Sequence, residues 1–161
     1  MDAVKPKAGE TTVERVSDRE LVVTRVIKGP ARLVFQAWTR ADLMQRWWVP
    51  ASFGITLLSI EMDVRVDGGY KLVFAHPAGE GTMAFFGTYT EVVPGEKLVW
   101  TNEEGGDIQV TTVTFTEDGG MTRVVLHELY PSKGALDDAL ASGSTGAWPE
   151  QFTALDALLA G

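Results

Sequence analysis

Few residues in this chain are of a type and spacing that could do chemistry. Glu61, Asp63 and Arg65 alternate along a strand-like segment, so their side chains share one face. Such a trio could orient a ligand in a pocket or work as acid and base. It reads more simply as a charge ladder on an outer face. Tyr89 follows Gly87 in another alternating run, and its hydroxyl could donate to a ligand carbonyl or cap a buried one, the second being the simpler reading. Gln109 is a third polar candidate for setting a ligand's orientation, beside Arg65 and Tyr89. His76 precedes a proline in a turn, and His127 falls out of phase with Val124 and Leu126, which points it to solvent. Two histidines and no cysteine make a metal site improbable, so neither metal nor cofactor is expected, and no catalytic residue stands out. The run from Gly79 to Ala84 fits G-x-G-x-x-A on paper, but it lies between two strand-like runs and does not open a helix, so the dinucleotide reading fails. No Walker loop, G-x-S-x-G or H-E-x-x-H motif is present.

The apolar residues say more. Trp47 and Trp48 stand side by side at the end of a short helix read from Thr39, with Asp42 three residues on as a capping-box partner and Pro50 as the stop. Consecutive helical residues point about 100° apart, so one ring can enter a core while the other faces a groove or pocket. Apolar surface at Met44, Trp47 and Trp48 would serve equally as a pocket wall or as a homodimer contact.

The elements that position this corner follow from the pattern along the chain. Residues 1–17 are polar and aperiodic and read as a flexible tail; residues 18–161 read as one domain. A β-branched run begins at Glu20 and stops at Gly29-Pro30; Ala31, Val34, Phe35 and Trp38 then keep helical spacing. From Ile55 to about Glu128 the chain is a series of short alternating strands. They are divided at Asp67-Gly69, His76-Gly79, Pro94-Gly95, Glu104-Gly106 and Asp118-Gly120, which implies an antiparallel meander. A short helical turn is expected from Ser132 to Ala141. The last helix begins near Ala147, with Trp148, Phe152, Leu155 and Leu159 on one stripe. The order β-α-α-β6-α gives an α+β class: a curved antiparallel sheet wrapped around a long C-terminal helix, with the two short helices at one end.

Composition bounds the partners. Lys plus Arg is 14 against 22 for Asp plus Glu, a net charge of −8, which argues against nucleic acid. No run approaches the roughly 18 apolar residues of a membrane span, and the first residues lack a secretory apolar core, so a cytoplasmic protein is expected.

Several segments together are similar to the helix-grip (START-like, or SRPBCC) superfamily, in the branch resembling the C-terminal domain of the Hsp90 ATPase activator Aha1. They are V-I-K-G-P-A-R-L-V-F-Q-A-W-T, the R-W-W-x-P corner and I-E-M-D-V-R-V-D-G-G-Y-K-L-V-F, then G-T-Y-T-E-V-V-P-G-E-K-L-V-W-T and T-R-V-V-L-H-E-L-Y, with the Trp148 to Leu159 helix. They cover about residues 20 to 160. The resemblance implies the helix-grip fold and makes the element Asp63-x-Arg65-x-x-Gly68-Gly69 structural. It concerns one type of domain, so a full ATPase-activator role does not follow. The chain departs from the family's pattern at Gly-Ser-Thr-Gly-Ala-Trp-Pro, which loosens the start of the last helix.

The resemblance also implies a space between sheet and last helix. Phe35, Trp47, Trp48, Phe74, Phe85, Tyr89, Trp100, Phe115, Leu126, Trp148 and Phe152 would line it. They either close it as a core or leave it open to a small hydrophobic ligand. Ligand binding is the leading expectation. A chaperone-contacting interaction domain is the alternative, and a cyclase- or aromatase-like enzyme ranks last.

Overall fold

Residues 11–48, 56–75, 81–103, 107–142 and 148–160 are described by the computed structural model of the chain. Strand β1 (Thr11–Arg15) falls within the stretch expected to be a tail; it pairs antiparallel with β2 (Glu20–Ile27), Thr11 opposite Arg25 and Arg15 opposite Leu21. Alternation of Thr12 and Glu14 with Val13 was too short a signal to mark an edge strand. In β2 the same alternation sends Leu21, Val23, Arg25 and Ile27 inward and the residues between them outward.

Helix α1 (Ala31–Thr39) follows Pro30, which stands just outside the helix in extended conformation and not at its first helical position. Helix α2 (Ala41–Met44) begins after Arg40, without a side-chain cap. The capping box expected at Thr39 does not form, because the Thr39 hydroxyl donates back to the Phe35 carbonyl, closing α1 rather than opening α2. Asp42 instead pairs with Arg40 at 2.9 Å.

The meander follows the expected turns: β3 (Thr56–Met62), β4 (Gly69–Ala75), β5 (Thr82–Val93), β6 (Lys97–Asn102), β7 (Gln109–Asp118) and β8 (Met121–Leu129). Helices α3 (Lys133–Ser142) and α4 (Trp148–Ala160) complete the order. Left-handed backbone falls at three of those turns: at Asp67 (φ 69°), at Gly95 (φ 74°) and at Gly119 and Gly120 (φ 61° and 79°), where glycine takes the conformation without strain. The strands form one antiparallel curved sheet in the order β1-β2-β8-β7-β6-β5-β4-β3.

Register explains where the core sits. Leu98, Val113, Leu126 and Val23 face one another in a row across β6, β7, β8 and β2, and none has exposed surface. Phe152 and Leu155 of α4 are equally buried. Each such side chain contributes about 1.5–3 kcal/mol through burial. Helix α4 lies against β2 and β1 and touches α1. Arg25 fixes it there: its guanidinium, only 4% exposed, pairs with Asp156 at 2.7 Å and donates to Thr11 at 2.8 Å. The Lys28 backbone N–H also donates to Asp156. The helix therefore covers one side of the sheet's concave face, the side containing β1 and β2.

Candidate functional site: a cavity beside the tryptophan corner

The two adjacent tryptophans separate as consecutive helical positions require. Trp47 is fully buried, and its indole N–H donates to the Ala37 carbonyl at 2.9 Å. Trp48 is half-buried; its ring lies 5.6 Å from Trp148 and its carbonyl accepts from the Gln151 side chain of α4. Met44 and Trp47 are buried, so the expected dimer patch is reduced to the outer part of Trp48.

Beyond the reach of α4, the corner and the strands β3 to β6 enclose a cavity of about 90 Å³, partly open to solvent. Trp38, Met44 and Trp48 form its corner wall, and Met62, Tyr70, Leu72, Phe85, Tyr89, Trp100 and Asn102 form its sheet wall. Trp38 is central to the wall, with Trp48 and Trp100 each 5.9 Å away, ring to ring. Rigid rings set at these angles cannot collapse into the remaining space as aliphatic chains do. A wider depression of about 480 Å³ lies among Glu61, Lys71, Phe86 and Gly87. It is shallower, and Glu61 and Lys71 stand exposed in it, so it offers less enclosure.

The polar groups at the cavity are few. Tyr70 crosses β5 over Gly87, its register partner, to reach β6, where its hydroxyl contacts both the Thr101 carbonyl and Asn102 Oδ1 at 2.8 Å. A Cβ on Gly87 would run into the Thr101 carbonyl and the Tyr70 ring, which is why glycine occupies that position. Asn102 Nδ2 in turn donates to Thr111 at 3.0 Å. Tyr89 is buried, and burial alone pushes its hydroxyl well above the ordinary tyrosine range. Trp38 carries a buried indole N–H with no acceptor. Among the described residues, no lysine, arginine, histidine, aspartate or glutamate lines the cavity.

Of the residues expected to line a space under the last helix, Trp48, Phe85, Tyr89 and Trp100 meet at this cavity. Trp47, Phe115, Leu126, Trp148 and Phe152 belong to the filled core, and Phe35 packs half-buried against Phe115 at 5.5 Å. Phe74 is buried beside Phe85, with ring centroids 5.4 Å apart. The space directly between sheet and α4 is thus filled, and the cavity sits to one side of it. Arg65 is excluded from the cavity: its exposed side chain pairs with Asp63 at 2.9 Å. Gln109 is half-buried near Tyr130, whose hydroxyl donates to Glu128 at 2.7 Å. Glu128 was not singled out in the sequence, yet it is the buried carboxyl of the concave face, and burial raises its pKa. His127 faces the outer side and meets Glu20 at 2.7 Å, which holds the Glu20 carboxyl below its usual range. His76 lies outside the described residues. Tyr70, Leu72 and Asn102 carried a usable signal. They share strand parity with Phe74 and Trp100, and so must share their face.

A family model described as Activator of Hsp90 ATPase homolog 1-like protein matches residues 28–160. The chain belongs to this family. No curated protein matches it. Among solved structures, a protein of Rhodobacter sphaeroides has a TM-score of 0.85 at 20% identity, covering 94% of this chain and 98% of its own. A protein of Chromobacterium violaceum is 26% identical with a TM-score of 0.73, covering 86% and 96%. An AHSA1-like protein from Aeromonas hydrophila is 22% identical with a TM-score of 0.68, covering 84% and 92%. These likenesses establish the helix-grip fold across this member of the family. Among the described residues, no helix is long and apolar enough to cross a membrane, and no group of three or more acidic, histidine or cysteine side chains is placed to hold a metal.

Proposed function

We propose that this family member binds an apolar or aromatic small molecule in the cavity beside the tryptophan corner. The observation that carries the reading is an aromatic-walled, partly open cavity whose described lining residues carry no charged side chain, beside a tightly buried core. Apolar burial supplies the affinity, at roughly 25 cal/mol per Å² removed from water. Native mass spectrometry of freshly purified protein, with displacement of a hydrophobic reporter dye, tests it. The expected result is a bound mass or displaceable dye that a cavity-filling Leu72→Phe variant loses. A folded Leu72→Phe protein that binds the dye as well as the parent does would remove the cavity from the account.

A second reading is contact with a chaperone, and its support is the family description alone. It predicts a complex with Hsp90 and altered ATP turnover. An unchanged turnover rate at high excess of this protein rejects it.

A further inference from the structure

The cavity's polar groups are unequal, and the inequality indicates what kind of molecule fits. Tyr70 and Asn102 are committed to each other, to the Thr101 carbonyl and to Thr111. Tyr89 has no such commitment: it is 4% exposed, lines the cavity, and burial is the whole cause of its raised pKa, so its hydroxyl is a neutral donor at any ordinary pH. Trp38, on the opposite wall, has a second donor, an indole N–H that is buried without an acceptor. Buried polar groups are ordinarily paired, and each exception calls for an explanation. At the cavity the exception is the Trp38 indole N–H, which can only donate, and the Tyr89 hydroxyl can donate beside it, so an acceptor is the partner that suits both.

Charge narrows the class. Among the described residues of this lining an anion would find no lysine, arginine or histidine, and a cation no carboxylate. Burying either without a partner is strongly unfavourable. Size narrows it again. At about 90 Å³ the cavity is smaller than the roughly 150 Å³ apolar cavity known to take a benzene ring. A compact head enters, and the rest of the molecule leaves past Phe85, which is 42% exposed. Met44 and Met62, both in the lining, are the side chains able to adjust to the head's shape.

We propose that the cavity selects uncharged molecules whose buried end carries an oxygen acceptor, such as a carbonyl or ether, held by the Tyr89 hydroxyl, with an apolar remainder lying over Phe85. This rests on the cavity being a ligand site at all, and the test separates the two claims.

Four probes of nearly one shape serve: acetophenone, ethylbenzene, benzoate and benzylamine, the last two charged at neutral pH. Each is titrated against the protein and against Tyr89→Phe, with tryptophan fluorescence and indole N–H resonances as readouts. Acetophenone affinity is expected to fall about fivefold in Tyr89→Phe, while ethylbenzene affinity holds or rises. Benzoate and benzylamine are expected to bind at least tenfold more weakly than acetophenone. Ethylbenzene bound with acetophenone unaffected by the substitution overturns the anchor and leaves the ligand site standing. Benzoate or benzylamine bound as tightly as acetophenone overturns the selection for neutral molecules. If no probe binds, both claims fall. Should Tyr89→Phe lose its fold, the ordering of the four probes on the unaltered protein decides the matter alone, with acetophenone ranked no higher than benzoate as the overturning result.

Discussion

One sheet has two sides here, and they were solved differently. On the side of β1, β2, β8 and β7, aliphatic residues such as Val23, Leu126 and Val113 interlock with Phe152 and Leu155 of α4 and leave no surface exposed. On the side of β3, β4, β5 and β6, aromatic rings from Trp38 to Trp100 stand around unfilled space. Both sides come from the same antiparallel meander. The position of α4 makes the difference, and the Arg25–Asp156 pair and Gln151–Trp48 hydrogen bond hold it to one side. The row Tyr89, Trp100, Thr111, Glu128, Leu21 runs from one side to the other. Along that row a free hydroxyl gives way to a carboxyl satisfied by Tyr130. A helix that covers only part of a curved face can therefore stabilise the fold while leaving room beside it.

Substitutions should separate the two sides. The largest effect is expected from Trp47→Ala, which removes a fully buried ring and its bond to Ala37 and should cost about 3–5 kcal/mol in chemical denaturation. The adjacent Trp48→Ala should cost less than half as much while weakening ligand binding more. Equal losses of stability would erase the contrast between the two rings. Asp156→Ala leaves the Arg25 guanidinium buried without its counter-charge and should cost about 3 kcal/mol, whereas the Arg25→Met, Asp156→Leu double variant should recover most of it. A double variant no more stable than Asp156→Ala would show that the pair does not set the position of α4.

A smaller effect is expected at Glu128. Its folded-state pKa is raised by burial, so its contribution to stability is complete below the ordinary carboxylate range and is lost as pH rises through the raised value. Glu128→Gln keeps an acceptor for Tyr130 without the charge. It should be more stable than the parent at pH 8 by on the order of 1 kcal/mol, with the gap closing as pH falls toward the ordinary carboxylate range. Parallel stability curves over that range would place the Glu128 carboxyl in a wetter setting than the fold suggests. The smallest loss belongs to Phe85→Ala. Its ring is 42% exposed, so stability should change by under about 1 kcal/mol, and the loss should appear in ligand binding instead.

Much of the fold was legible because turn chemistry and strand alternation are local. Pro94-Gly95 and Asp118-Gly120 mark the hairpins they were read to mark, and the Trp148 stripe is the helix α4. Edge strand β1 was missed because its alternation is brief and polar. The Thr39 cap was misassigned because a hydroxyl at a helix junction can serve either helix, and only the backbone turn between α1 and α2 decides which. The lining of the cavity was legible only in part. Parity put Tyr89 and Trp100 on the concave face, and it would have added Tyr70, Leu72 and Asn102 had it been applied to every strand. Where α4 would lie across that face depends on long-range pairs such as Arg25 with Asp156, and no local pattern encodes them. The core residues Phe115, Leu126 and Phe152 were therefore grouped with the lining.

The five tryptophans divide between the two sides and give a direct test of the contrast. Trp38, Trp48 and Trp100 line the cavity, while Trp47 is locked to the Ala37 carbonyl inside the core. Titration of acetophenone into labelled protein, followed by the five indole N–H resonances, should move those of Trp38, Trp48 and Trp100 and leave that of Trp47 nearly still. A shift confined to Trp47 and Trp148, or no saturable shift in any of the five, would contradict the assignment of the uncovered side as a ligand site.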